Sequence, residues 1–305
     1  MSSAFLLMCA VLLAPQQAPV EPFIPVGIWY GGPGIHPPAT IDADLDAVRS
    51  ELALIRRAGF NAITTWTSWA DAEPRPGAYA FAPLERLIAA AAENDLKVDV
   101  RLFTDKPPAW SSTVPVDRAR FVAYTRTRLR LGQAASVEEA DPSEALAKAI
   151  RVGRNAKTPF EGRMEFWASI ARGARRVTFA DAEGGIGSSV LSLGETVGIV
   201  TRNLALFAPL RTREGGIRDV VGAGGAPVDV RLLESVDALV IVGVNYSASV
   251  QKVTINFTPE IPEAIWQNLE TSTSVNFVMG RGGPYLEHTF SPRDTLVLTI
   301  RKKLR

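Results

Sequence analysis

The side chains that bear on chemistry in this sequence are carboxylates and tryptophans. Asp105 follows the run KVDVRLF at 97–103, and Asp181 and Glu183 close the run that starts at Arg175. Glu144 stands in a polar stretch. Carboxyl groups do acid–base or nucleophilic work when their surroundings push their pKa values apart, so that one is protonated while the other is ionised. Five of the six tryptophans, Trp29, Trp66, Trp69, Trp110 and Trp167, lie in the first two-thirds of the chain. An indole offers a flat apolar face and one N–H donor, which serves a ligand or a core equally. His36 and His288 are the only histidines, and Cys9 is the only cysteine. A Ser-His-Asp triad or a two-histidine metal site would need distant pairing, and thiolate chemistry has no second sulfur to work with. Neither a metal nor a cofactor is expected.

Residues 26–32, VGIWYGG, read as a buried strand ending in glycines. Asp42-Ala43-Asp44 opens a helix in which Leu45, Val48, Leu52 and Ile55 recur at helical spacing, with Gly59 placed to end it. Asn61–Trp69 reads as a second strand, Pro83–Asn94 as a helix, and Lys97–Phe103 as a third strand. Such alternation implies a parallel sheet with helices outside it, and the handedness of the crossovers leaves a doubly wound sheet or a barrel. No G-x-G-x-x-G follows the first strand, which argues against a dinucleotide site. Between Ser111 and Asn155 the pattern weakens to a basic helix over Arg118–Leu131, a polar link through Gln133–Asp141 and a short helix over Ser143–Ile150. Order returns with a helix marked by Met164, Trp167, Ala168 and Ala171, a strand over Arg175–Ala182 and a long apolar helix over Val190–Leu210. From Gly216 the runs become short and β-rich: Val228–Leu233, Ala238–Tyr246, Lys252–Phe257, Ser274–Met279 and Thr295–Arg301. That spacing suggests an antiparallel sandwich.

A 305-residue chain that is 47% hydrophobic can bury a sizeable core. Its formal charge of +1, from 33 basic and 32 acidic side chains, supplies no field to draw it to nucleic acid or an acidic membrane face. Arg301, Lys302, Lys303 and Arg305 read as a solvated basic tail. The apolar segment Ala4–Ala14 is shorter than the roughly 20 residues of a membrane span. It fits the core of a secretory signal over residues 1–20, although no Lys or Arg precedes Arg49. Export to the periplasm or beyond is the expectation; without a working signal the chain would stay cytoplasmic.

Three blocks carry a resemblance. Gly59-Phe60-Asn61-Ala62 leads to Trp66, Trp69, Glu73-Pro74, Gly77, Tyr79, Phe81 and Leu84. Pro107-Pro108-Ala109-Trp110 follows, and later Phe166-Trp167-Ala168 with Ala171-Arg172-Gly173-Ala174. In this order they resemble glycoside hydrolase family 42, the β-galactosidase-like barrel glycosidases, whose barrel is often followed by a β-rich domain similar to the C-terminal part here. The resemblance implies eight parallel strands. A barrel of that kind takes about 250 residues and rarely fewer than about 200, so the stretch before the sandwich is two or more strand–helix units short. The expected fold class is α/β, an incomplete TIM-barrel-like β/α domain over 21–213, followed by an all-β sandwich over 214–305.

The resemblance also implies a retaining mechanism, in which two carboxyl groups about 5–5.5 Å apart act as acid and nucleophile. In the family both are Glu, and the acid follows an Asn; no Asn-Glu pair occurs in this sequence. Glu144 is the nearest remnant of the attacking group, or a solvated helix residue. Asp181 and Glu183 could take part in chemistry or simply shape a turn. Barrel logic sends Asp105 to the mouth, as a sugar-hydroxyl contact or as a partner of Lys106. Trp29, Tyr30, Trp69 and Trp110 stand near strand ends, where they would stack on a sugar ring or pack in the core; Trp66 and Trp167 read as core. Glu73 reads as a structural hydrogen-bonding partner. Three outcomes follow: an active β-glycosidase, a carbohydrate-binding protein that has lost the acid, or a barrel fragment with exposed sheet edges. The expected partner is a carbohydrate, and by analogy with relatives a homo-oligomer is open.

Overall fold

A computed structural model of the chain describes residues 23–31, 44–131, 136–183, 186–222, 228–262 and 265–302. The N-terminal apolar segment, Cys9 and His36 lie outside the described residues. Among the described residues no helix is long and apolar enough to cross a membrane.

The first part alternates strands and helices. In chain order they are β1 (Val26–Trp29), α1 (Leu45–Arg57), β2 (Ala62–Ser68), α2 (Trp69–Ala72), α3 (Ala82–Ala92), β3 (Lys97–Phe103), α4 (Val114–Leu131), β4 (Ser136–Glu139), α5 (Pro142–Ala147), β5 (Ile150–Val152), α6 (Pro159–Ala171) and β6 (Val177–Asp181). The helices α7 (Ser188–Leu191), α8 (Gly194–Thr201) and α9 (Leu204–Phe207) complete it. The strands form one all-parallel sheet in the order β4-β3-β2-β1-β6-β5. First strand beside last is how a closing barrel runs, but β4 and β5 do not pair, so the ring stays open there. Among the described residues six parallel strands stand where the resemblance implied eight.

Local chemistry explains the helices. Asp44 caps α1 by accepting from Ala47 N at 2.9 Å, and Val48, Leu52 and Ile55 form its buried stripe. Thr158 and Glu161 form a reciprocal capping box at the start of α6, with Pro159 in the first turn. Each parallel strand sends alternate residues outward under the helices. Val26, Ile28, Ile63, Val98, Val100, Leu102, Val137, Val177 and Phe179 join one continuous core this way. Gly194 explains a departure from expectation. The long apolar helix over Val190–Leu210 is broken into three, because the chain presses Gly194 against the end of α1, where a Cβ would stand 1.8 Å from the Ala58 carbonyl oxygen.

The polar link expected through Gln133–Asp141 holds β4, and the short helix expected over Ser143–Ile150 is α5 followed by β5. Ser136 and Glu138 point into a polar interior, so β4 lacks the apolar alternation that marks a strand.

The rest is antiparallel. One sheet joins β7 (Arg211–Thr212), β9 (Val228–Glu234), β10 (Ala238–Asn245), β12 (Ile265–Asn268), β13 (Ser274–Asn276) and β16 (Thr295–Arg301). The other joins β8 (Ile217–Gly222), β11 (Gln251–Phe257), β14 (Val278–Gly280) and β15 (Gly283–Phe290). The expected run Ser274–Met279 is thus split between the two sheets, and β8, β12 and β15 add to the runs read from sequence. All eight residues of β10 are buried. Val240, Val242 and Val244 face the α/β layer, while Leu239 and Ile241 face the sandwich interior with Phe257, Trp266 and Phe290.

The seam between the layers carries a polar cluster around Glu270, besides the pairs Arg293–Glu161 and Arg172–Tyr246. Glu270 accepts from Arg163 at 3.0 Å through each carboxylate oxygen, from Trp167 Nε1 at 2.9 Å and from Thr295 Oγ1 at 2.9 Å. Removing Glu270 leaves the Trp167 indole N–H and the Thr295 hydroxyl without this acceptor, and Arg163 with Asp294 alone at 3.4 Å. Glu270→Ala is expected to lower unfolding free energy by about 3 kcal/mol in urea titration. Gly194→Ala should be strongly destabilising in the same assay, by the backbone clash at Ala58.

Candidate active site

The inner face of the parallel sheet is charged. Asp99 and Arg101 alternate with outward valines and Leu102 along β3, and Glu138 stands beside Arg101 on β4. Arg176, just before β6, reaches across the interior. Its Nη1 donates to Glu138 Oε2 at 2.8 Å, and its Nη2 to Glu138 Oε1 at 3.1 Å and Ser136 Oγ at 3.0 Å. Its Nε lies 2.9 Å from Asp99 Oδ2. Ser136 Oγ donates to Asp99 Oδ1 at 2.7 Å, and Arg101 also pairs with Glu138. Hydrogen bonding from Arg176, and then the charges of Arg176 and Arg101, hold the Glu138 carboxyl below its ordinary range.

A cavity of about 470 Å³ lies between this face and α5. Trp29, Thr64, Arg101, Glu138, Arg176 and Thr178 line it from the sheet, and Asp141, Glu144 and Lys148 from the α5 segment. Asp141 is likewise held below its ordinary range, first by the Ser143 hydroxyl and then by backbone N–H groups at the start of α5. Among the described residues no group of three or more His, Cys, Asp or Glu side chains is placed to hold a metal ion.

The residues singled out from sequence divide sharply. Trp29 and Glu144 line the cavity. Glu144 is exposed on α5, 3.0 Å from Lys148 Nζ. Asp181 closes β6 and accepts from the Glu183 backbone N at 2.8 Å, a turn contact, and Glu183 is exposed. Asp105 is exposed in the loop after β3. None of these three lines the cavity. Tyr30 turns outward, donates to Glu51 Oε2 at 2.7 Å and packs on the outer core; burial, then Glu51, raises its pKa. Trp69, read as a possible stacking platform, is instead fully buried on the outer side, stacked on Phe121 and donating to Glu73 Oε2 at 3.0 Å. Trp110 is edge-on to Trp69, donates to the Glu73 carbonyl at 2.9 Å and lies under the Arg120 guanidinium. Glu73, wholly buried, also accepts from Gly77 N and Arg120, so this Trp69–Glu73–Trp110 knot is a structural unit away from the cavity.

Residues 42–143 match the sequence profile of glycoside hydrolase family 42, described as β-galactosidase. The β-galactosidase LacZ of Heyndrickxia coagulans is 31% identical over 86 residues, covering 26% of this chain and 13% of that protein. Residues 42–143 are thus the part of the chain that is similar to family 42. The chain as a whole spans a small part of its curated relative's length. Among solved structures, the fold is similar to a noncanonic maltogenic α-amylase from Thermotoga neapolitana, with a TM-score of 0.57 at 9% identity over 92% of this chain and 99% of that one. It is also similar to a family 39 glycoside hydrolase from Bacteroides cellulosilyticus, with a TM-score of 0.52 at 11% identity over 91% of this chain and 81% of that one. At such identities the likeness shows the fold: a barrel-type β/α layer followed by a β-sandwich.

The segment similar to family 42 ends in the first turn of α5, at the point where the ring opens. The residues that sequence reasoning missed, Asp99, Arg101, Glu138 and Arg176, are those that the opening brings inside. Their signal was present in K-V-D-V-R-L-F, where charged residues alternate with apolar ones. In a strand buried on both faces that alternation puts charges on an inner wall. Arg176→Met would leave Asp99, 1% exposed, without its cation, and is expected to cost about 3 kcal/mol in urea unfolding. Acidity checks the same contact. Because the folded carboxyl of Glu138 is held low, its contribution is present above the ordinary value of 4.5 and lost as pH falls from there through the lowered folded value. Arg176→Met should flatten the stability–pH slope in that window.

Proposed function

We propose that this chain acts as a glycoside hydrolase on β-galactosides or related β-linked sugars, with the cavity between α5 and the parallel sheet as the sugar site. One juxtaposition supports the reading: Trp29, Glu138 and Glu144 line the same cavity. An indole face beside carboxylates is what a pyranose with one apolar face and several hydroxyls requires. A retaining mechanism needs one ionised carboxylate to attack the anomeric carbon and one carboxylic acid to protonate the departing oxygen. Glu138, kept ionised by two guanidinium groups, fits the first role. Glu144, which lines the same cavity from α5, is assigned the second.

The same clamp supports a second reading, binding without turnover. A carboxylate held by both Arg176 and Arg101 must give up those bonds before it can attack. Release of 4-nitrophenol from 4-nitrophenyl β-galactoside, measured beside calorimetry with lactose, separates the two. Hydrolysis should fall about 100-fold or more in Glu138→Gln and in Glu144→Gln. Lactose binding with no release would favour the second reading. Neither release nor binding would remove the cavity as a sugar site.

A further inference from the structure

Below α5 lies a second feature of the inner face. Trp29, Trp66, Phe103 and Ala180 form a small cluster separate from the main core, and among the described residues the partly buried apolar groups packed on it are Ala140, Ala145 and Ala149. Trp66 and Phe103 stack, with ring centroids 5.1 Å apart and planes at 24°. Trp66 is 3% exposed, yet its Nε1 has no hydrogen-bond partner. Buried donors are nearly always paired, because an unpaired one forfeits its bond to water without replacement.

The cover over these rings is lightly held. Each alanine contributes one methyl group. Among the described residues, every hydrogen bond made by Asp141–Lys148 stays within the segment: Ser143 N and Glu144 N to Asp141 Oδ1, Ala145 N to the Asp141 carbonyl, Lys148 N to the Glu144 carbonyl, and Lys148 Nζ to Glu144 Oε2. The segment is anchored only at its ends, through Ala140 N to the Leu102 carbonyl at 3.0 Å and through the β5 ladder. Lifting α5 therefore breaks no hydrogen bond to the sheet among the described residues and uncovers the stacked Trp66 and Phe103 rings, the Trp29 indole and a free N–H.

We propose that α5 is a displaceable cover over a hidden pyranoside subsite whose floor is Trp29, Trp66 and Phe103. The apolar C–H face of the sugar stacks on the rings, and a hydroxyl accepts the Trp66 indole N–H that the covered state leaves unpaired. This rests on the sugar-site reading above and adds to it that the cavity extends beneath α5 when ligand enters.

The test uses the full chain labelled with 5-fluorotryptophan, with resonances assigned by single Trp→Phe substitutions and lactose as the probe. Hydrogen exchange follows the Ala145 and Lys148 amides beside those of β2 and β3. The expected result is α5 exchange at least about 100-fold faster than in β2 and β3, together with a shift of the Trp66 fluorine signal on adding lactose. Trp66→Phe, which keeps the ring and deletes the N–H, should weaken lactose binding about fivefold. Ala145→Gly, which loosens the cover, should tighten it about fivefold. Exchange in α5 as slow as in the strands would overturn the proposal. So would a lactose-induced shift at Trp29 with none at Trp66; that result would leave the cavity's function standing. Fast α5 exchange and a Trp66 shift without hydrolysis would uphold the subsite and reject the enzymatic reading. Absence of any lactose response would reject both.

Discussion

The bridge that Arg176 makes across the interior is the contact on which the α/β layer depends. Arg176 stands at the start of β6, whereas Glu138 and Asp99 stand on β4 and β3, with β1 and β2 between them in the sheet. A parallel sheet of six strands has no hydrogen-bonded closure to fix its curvature. The guanidinium supplies a chord instead, binding far sides of the curve at distances of 2.8–3.1 Å. Ion pairs inside proteins seldom add stability over an apolar filling. What this one does is specify geometry: flattening the sheet would strand Asp99, almost fully buried, without its cation. The same contact keeps Glu138 ionised, so curvature and the charge state of the cavity are set by one side chain.

An open ring has two edges, and each is blunted. The Val137 carbonyl on the free side of β4 accepts from Arg126 Nε at 3.4 Å, a long contact from the neighbouring helix. On β5 the chain turns back on itself, so that Lys157 N donates to the Arg151 carbonyl at 3.2 Å and Gly153 N to the Lys157 carbonyl at 3.0 Å. Edges capped in this way offer less to a passing strand. The missing units therefore did not leave the raw edges that a cut barrel would have. The ten residues 140–149 that join β4 to β5 must run from the C-terminal end of one parallel strand to the N-terminal end of the other. A six-residue helix, about 9 Å long, serves for this. It is too short to go round the outside as a barrel helix does, and it lies over the inner face.

How much of this could be read from sequence depended on which face carried the signal. The outward faces were legible: Val48, Leu52 and Ile55 of α1 and the alternating apolar residues of β2 and β3 pack as their spacing implies, because helix and sheet meet there by burial alone. The α/β layer followed by antiparallel sheets was legible for the same reason. The inner face was not. The rule that active groups lie after the strands of a barrel made candidates of Asp105, Asp181 and Glu183. With strands missing, the hollow moved inward to Arg101, Glu138 and Arg176. Trp69 takes the core alternative of its two readings, because its partner, Glu73, is four residues away at the end of the same short helical turn. Two buried polar groups that satisfy each other leave no hydrophobic pattern to show that both are inside.

The sandwich makes the loss of strands tolerable. Helix α6, which in chain order leads into the last strand of the ring, is clasped between that sheet and β10, so that both of its faces are buried in one continuous core. Phe166 packs toward Phe179 of β6, while Trp167 donates to Glu270 beyond the seam. Burial on both sides holds β6 in place independently of the strands that would once have followed β4. Position of β6 determines position of Arg176, and Arg176 in turn sets β3 and β4. The order of support thus runs from the sandwich through α6 to the charged interior, and it leaves α5 as a segment tied to the sheet only at its ends.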